Sequence, residues 1–251
     1  MSGFKALLKK EMREQWRTYK LLIVGGLFLF FGITTPLILK YLPEILELSG
    51  ENINIEILPP TAIQSLTEFA GTIVQVGVLA AVLIAMGAIA REKERGTAAM
   101  VLSKPVEKGA FVTAKLVAIS ALFVVALALG SITCYIYTVM LIESGNAAGF
   151  LMLNLLLAIF LIFCLAVTLL SSAIFRSSLL AGGVALAVLL GQAVLTQLPW
   201  LGDYVPGALV SWNVELLSGQ PAAIWPSILV TSVLIAACIY LAALALKRCE
   251  I

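Results

Sequence analysis

Charge is what this sequence has least of. Only 12% of its 251 residues are Asp, Glu, Lys or Arg, against about 25% in an ordinary soluble domain. Histidine is absent, which removes the commonest metal ligand and the usual proton carrier near neutral pH. No GxxxxGK[ST] phosphate loop occurs, so the chain cannot hydrolyse ATP by that mechanism. The four cysteines, Cys134, Cys164, Cys238 and Cys249, show no CxxC spacing. They read as small apolar residues plus one thiol in a basic tail, not as a disulfide framework or zinc site. No long polar stretch is available to form a soluble domain.

What the sequence does have is apolar length. Hydrophobic residues make up 61% and the mean hydropathy is +1.08. At 1.5 Å per residue, about 20 apolar residues cross the hydrocarbon core of a bilayer. Six stretches qualify: 21–41, 71–90, 116–142, 150–175, 179–198 and 224–246. No Asp, Glu, Lys or Arg lies deep in any of them, and Lys40 sits at the end of the first. A charge at mid-bilayer costs about 2.5–3.5 kcal/mol on insertion scales, so this absence is what lipid-embedded helices require. The first stretch follows a long basic segment and has no small-residue cleavage pattern after it, so it reads as an uncleaved signal anchor. The expected fold is an all-α integral membrane protein, a single transmembrane domain over 1–251.

The basic residues divide by side. Lys5, Lys9, Lys10, Arg13, Arg17 and Lys20 precede the first stretch, and Arg91, Lys93, Arg95, Lys104, Lys108 and Lys115 lie between the second and third. Arg176 joins the fourth to the fifth, and Lys247 and Arg248 follow the sixth; Lys40 alone falls on the other side. The positive-inside rule makes the basic side cytoplasmic, with both termini on it, in a multi-pass protein of the cell membrane. The opposite side carries eight acids: Glu44, Glu47, Glu51, Glu56, Glu68, Glu143, Asp203 and Glu215.

Three segments between the spans carry further pattern. In 1–20, Phe4, Leu7, Leu8, Met12, Trp16 and Tyr19 share one half of a helical wheel, which predicts an amphipathic helix lying along the membrane interface. The segment 42–70 is acidic, contains Pro59-Pro60, and reads as a loop with one short helix. The segment 199–223 holds Pro199, Trp200, Tyr204, Pro206, Trp212 and Pro221, with Trp225 just beyond, and reads as interfacial or partly re-entrant. Aromatics at that depth serve as belt residues.

The loop 91–115 is the most informative. Five alternating charges, Arg91-Glu92-Lys93-Glu94-Arg95, follow directly on an apolar helix; Gly96 breaks the run, Ala98 to Leu102 is apolar, and Pro105 ends or restarts a helix. Charges three apart can pair within one helix. A stop-transfer cluster would account for the charges, but not for the apolar segment beyond them, which needs a surface to bury it.

The stretch IAREKERGTAAMVLSKPVEKGAFVTAK, Ile89–Lys115, resembles the hallmark of ABC-2 type transporter permeases: a charged block with Gly-Thr, an apolar helix, a Ser-Lys-Pro-Val turn, then Phe and Lys leading into a third span. The resemblance covers essentially the whole chain, through the basic N-terminal helix, six spans and the aromatic outer segment before the last. It implies that 1–20 is an elbow helix and that 91–115 holds a coupling helix docking on a separate cytosolic ATPase. Glu92, Glu94, Arg95, Gly96 and Thr97 would form the hinge from the second span, with Arg91 beside them among the residues coupling to the ATPase. Ala98, Met100, Val101 and Leu102 would form the docking face, Pro105 and Val106 the turn back, and Arg176 a second, smaller contact. The implied assembly is two permease copies, identical or similar, with two ATPase subunits that carry ATP and Mg, surrounded by membrane lipids. No nucleic acid is expected, and no cofactor or metal in this chain.

Polar side chains within the spans are candidates for a translocation path: Gln75, Thr133, Gln192, Thr196 and Gln197, with Thr34, Thr35 and Ser131 also present. Hydrogen bonding between helices is the alternative use of such residues, and the Gly182-Gly183 pair suits close helix packing. Two other functions compete. A membrane scaffold or immunity protein would bind a ligand without turnover and need no ATPase. An ion-coupled secondary transporter would need a relay, and no Asp, Glu or His lies within a span to serve as one.

Overall fold

The computed structural model describes residues 2–48, 59–94, 108–198, 200–220 and 224–248. Among them there is no strand; there are nine α-helices and two short 3-10 helices. Helix α1 is Ser2–Arg17 and α2 is Lys20–Leu48; the second span is divided into α3, Ala62–Ala85, and α4, Gly87–Glu94. Then come α5, Lys108–Leu141, α6, Ala147–Ile174, and α7, Ser178–Leu195. The 3-10 helices Gly202–Tyr204 and Pro206–Val210, α8, Asn213–Ser218, and α9, Trp225–Arg248, complete the order. Six helices are long and apolar enough to cross a membrane, α3 and α4 counting together.

The first three spans are longer than hydropathy predicts. The first continues through Pro43 to Leu48, the second starts at Ala62, and the third starts at Lys108. The segment read as a loop from 42 to 70 is therefore helical at both ends, and 108–115 of the segment expected to be a coupling loop already belongs to the third span. Backbone hydrogen bonding does not stop where the hydrocarbon does, and polar residues such as Glu44, Gln64 and Lys115 extend a helix without loss. The second span has a definite start, since the Thr61 hydroxyl accepts from the Gln64 amide at 3.3 Å. The fourth starts likewise at Asn146, whose side chain accepts from the Gly149 amide at 3.0 Å. Tyr19 takes φ 56° between α1 and α2, a left-handed turn that redirects the chain from one helix into the next.

Helix α6 is the centre of the bundle. Leu153, Leu156, Leu157, Leu161, Cys164 and Leu165 on it are fully buried, and α3, α5, α7 and α9 pack on it, while α2 packs on α5 and α3. Helices α2 and α5 cross at two glycines. A Cβ on Gly32 would lie 2.5 Å from the Gly130 carbonyl oxygen, and one on Gly130 would lie 2.8 Å from that of Phe28. Only glycine permits backbones this close, the contact on which lipid-embedded helices rely. The 200–220 segment folds over the acidic end, where Ala208, Leu209 and Leu217 are buried. Trp212 packs against the core, while Trp200 and Trp225 remain on the surface as belt positions.

Candidate functional site

The polar chemistry of the molecule gathers at its basic end, where α1, α4 and α5 meet. On α1 the side chains turned to the bundle are Phe4, Leu7, Leu8, Glu11 and Gln15; Met12 and Trp16, and Tyr19 just beyond the helix, are exposed. The apolar half of the wheel thus splits into a stripe against the protein and a stripe on the surface. Glu11 and Gln15 are the most buried positions of the helix, at 2% and 4% exposure.

Glu11 is buried because it meets Lys115 of α5, itself only 2% exposed. The Lys115 ammonium lies 3.2 and 3.1 Å from the two Glu11 carboxylate oxygens and 2.8 Å from Glu92 Oε1 of α4. It also sits 5.1 Å from the centroid of the Phe111 ring. Removing an ammonium from water costs several kcal/mol, and only well-placed counter-charges offset it. Here two carboxylates from two different helices do so. Beside this cluster lies a cleft of about 460 Å³ that also reaches Glu14, Lys20 and Arg91.

Two more lysines tie helices together. Lys93 of α4 donates to the carbonyl of Ala173, in the last turn of α6. Lys108, the first residue of α5, donates to the carbonyl of Leu246 near the end of α9 at 2.8 Å. Carbonyls in a helix's last turn have no partner in their own helix and carry the negative end of its dipole, so a lysine there is doubly favoured. Next to Ala173, the Ser172 hydroxyl enters the second span where it breaks. It donates to the Met86 carbonyl at 2.8 Å and accepts from the Ile89 and Ala90 amides at 3.1 and 2.9 Å.

The residues expected to couple to a partner fall as follows. Arg91 is exposed and folds over Gly87, Glu92 is in the cluster, and Glu94 is exposed at the end of α4. Arg176 is exposed in the turn after α6. Arg95, Gly96, Thr97, Ala98, Met100, Val101, Leu102, Pro105 and Val106 lie outside the described residues. Sequence reasoning missed Glu11, Lys115, Lys93, Lys108 and Ser172. The lysines served there only as a sign of sidedness, yet a carboxylate inside the apolar half of α1 was a visible anomaly.

The candidate path residues do not form one group. Gln192, which is buried, and Thr196 bond each other at 3.3 Å near the acidic end of α7 and pack on Gly207. Thr133 donates to the Leu129 carbonyl of its own helix at 2.9 Å, while Gln75 and Gln197 are exposed. Ser131 bonds Asn154 across α5 and α6, and no pattern in the sequence singles out Asn154. This pair lines an apolar groove of about 480 Å³ with Leu127, Tyr135, Phe150 and Leu155. Of the Gly182-Gly183 pair, Gly182 is pressed on Met86, and Gly183 has open space before it. No group of Cys, Asp or Glu among the described residues could hold a metal ion.

Residues 5–206 match a protein family described as ABC-2 family transporter protein. The chain is also 28% identical, over 199 residues and 77% of each sequence, to YxlG of Bacillus subtilis (strain 168), named as an uncharacterized transmembrane protein.

Proposed function

The chain belongs to the ABC-2 transporter family, and from that premise we propose that it is the permease subunit of an ATP-driven exporter, worked by a separate ATPase at its basic end. That end is cytoplasmic in this reading, in the cell membrane, with both termini on it. Two permease copies assemble with two ATPase subunits, which carry ATP and Mg. The docking element is the segment after Glu94, with Arg91, Glu92 and Glu94 at its root, Ala98 to Leu102 as the apolar face, and Arg176 as a lesser contact.

The observation that carries this reading is the Glu11–Lys115–Glu92 cluster. A push on the segment that begins at Arg95 reaches α4 first. Because Glu92 shares Lys115 with Glu11, that push passes to the elbow helix and to the third span together, as a displacement of packed rods. Membrane scaffolds and ion-coupled carriers have no need of such a joint beside a charged loop. Gln75, Thr133, Gln192, Thr196 and Gln197 are the polar positions available to a cargo path, and the apolar groove on α5 and α6 suits an amphipathic cargo.

Copurification of the full chain with a tagged candidate ATPase from detergent-solubilised membranes tests the reading. The two are expected to elute together and to lose each other when Ala98, Val101 and Leu102 are changed to Asp. Retained assembly and retained ATP-dependent transport in that variant would refute the docking assignment. Transport that follows an ion gradient in ATP-depleted vesicles would favour the ion-coupled alternative instead.

A further inference from the structure

The second span is interrupted at one rung. Met86, between α3 and α4, keeps right-handed helical angles (φ −57°, ψ −34°) and its amide bonds the Val82 carbonyl at 2.8 Å, so the chain stays helical there while the hydrogen-bond ladder beyond it changes. In an unbroken helix the Ala90 amide would bond the Met86 carbonyl, one rung of the i to i−4 ladder. Both partners of that rung instead lie within hydrogen-bond distance of one foreign atom, the Ser172 hydroxyl of α6, which also takes the Ile89 amide. A side chain that enters the ladder is one of the few recognised causes of a helix bend. The insertion is fully buried: Ser172, Ile89 and Ala90 all have 0% exposure. On the other side, α7 comes so close that a Cβ on Gly182 would stand 2.8 Å from the Met86 sulfur.

We infer that Ser172 is a wedge that sets a hinge at Met86, so that α4 turns relative to α3 as a separate lever. It is a positioning residue, acting through the backbone of the second span. Three features fit this role together. The hydroxyl supplies both a donor and an acceptor, so it satisfies both halves of the Ala90–Met86 rung that it separates. Lys93 bonds the Ala173 carbonyl, so the residue after the wedge also grips the lever. Glu92 holds the lever's other side through Lys115. Helix α4 thus has polar contacts on two sides beside its buried Ile89 and Ala90, while α3 is fastened mainly by apolar packing, with polar ties to Thr138 and Glu143 confined to its start. The hinge itself needs no ATPase; only its use in transport rests on the coupling reading above.

The test uses the full chain in lipid vesicles without nucleotide or partner, so it is independent of that reading. Nitroxide labels go on cysteines replacing the exposed Glu94 and Arg176, with Cys238 and Cys249 changed to alanine, and pulsed dipolar spectroscopy gives the distance. In Ser172→Ala the rung is expected to close and α4 to straighten. Eight residues of helix beyond Met86 turned through about 20° move Glu94 by roughly 4 Å. Adding Ala90→Pro to Ser172→Ala removes the amide of that rung and holds the Met86 carbonyl open, so the distance is expected to return to the starting value. An unchanged distance in Ser172→Ala overturns the wedge. So does a shift that Ala90→Pro leaves in place, because it would then come from lost packing at Ser172 and not from the ladder.

Discussion

The two ends of this bundle are built from different chemistry. At the basic end, helices are joined by a buried lysine between two carboxylates, by lysines on the last-turn carbonyls of α6 and α9, and by a serine hydroxyl inside another helix's ladder. At the acidic end, a folded segment seals the bundle with Ala208, Leu209 and Leu217. Neutral bonds such as Ser65 to Thr138, at 2.9 Å, add to that seal. Close-packed apolar side chains leave no room for rearrangement without opening a void, so they suit a part that stays closed. Ionic and hydrogen-bonded contacts are directional and can be exchanged for others at similar energy, so they suit a part that moves.

The sharpest way to break this comparison is Lys115→Met. It leaves Glu11 and Glu92 without their shared cation, and removing one partner of a buried pair costs about 3–5 kcal/mol. The loss is expected in denaturation titrations of the purified protein in mixed micelles, together with loss of ATP-driven transport. Next in size is Leu209→Ala, at about 2–4 kcal/mol for a truncated core leucine. Its transport per folded molecule is expected to stay near the wild-type rate, and a variant that folds but is uncoupled would show that the acidic end is more than a seal. Gly130→Val, at the crossing of α2 and α5, is expected to cost about 1–3 kcal/mol in the same titration, since it forces two backbones apart. Ser65→Ala should be the mildest, about 0.6 kcal/mol, the average for a hydrogen bond between membrane helices. A larger effect there would mean that the acidic end depends on polar contacts after all.

The sequence makes some of these features legible and hides others for identifiable reasons. Six spans can be read because the cost of placing a charge in hydrocarbon forces each into a continuous apolar run. Where the helices end cannot be read the same way, since α2 and α5 run on through polar residues outside that region. The joint at the basic end is hidden by distance along the chain: Lys115 stands 104 residues from Glu11 and 23 from Glu92. A count of charges by side assigns all three correctly to one face and cannot pair them. Glu11 is the exception that was visible, as a carboxylate among Phe4, Leu7 and Leu8 on the wheel. Ser172 gives no sign at all, because a serine near the end of an apolar helix ordinarily bonds its own backbone, as Ser171 does to the Val167 carbonyl. Gly182 was legible as a packing glycine, but its partner Met86 and the Gly32–Gly130 crossing depend on the fold.

The most direct test of the account compares motion at the two ends within one protomer. The full chain, assembled in vesicles with the ATPase proposed above, carries one label pair at Lys9 and Leu179, exposed near the basic end and outside the proposed docking contacts, and, separately, another at Gln64 and Ser218, which are exposed near the acidic end. Trapping the complex with ATP and vanadate is predicted to shift the first distance distribution and leave the second unchanged. A basic-end distance that does not respond to nucleotide, or equal shifts at both ends, would contradict the account.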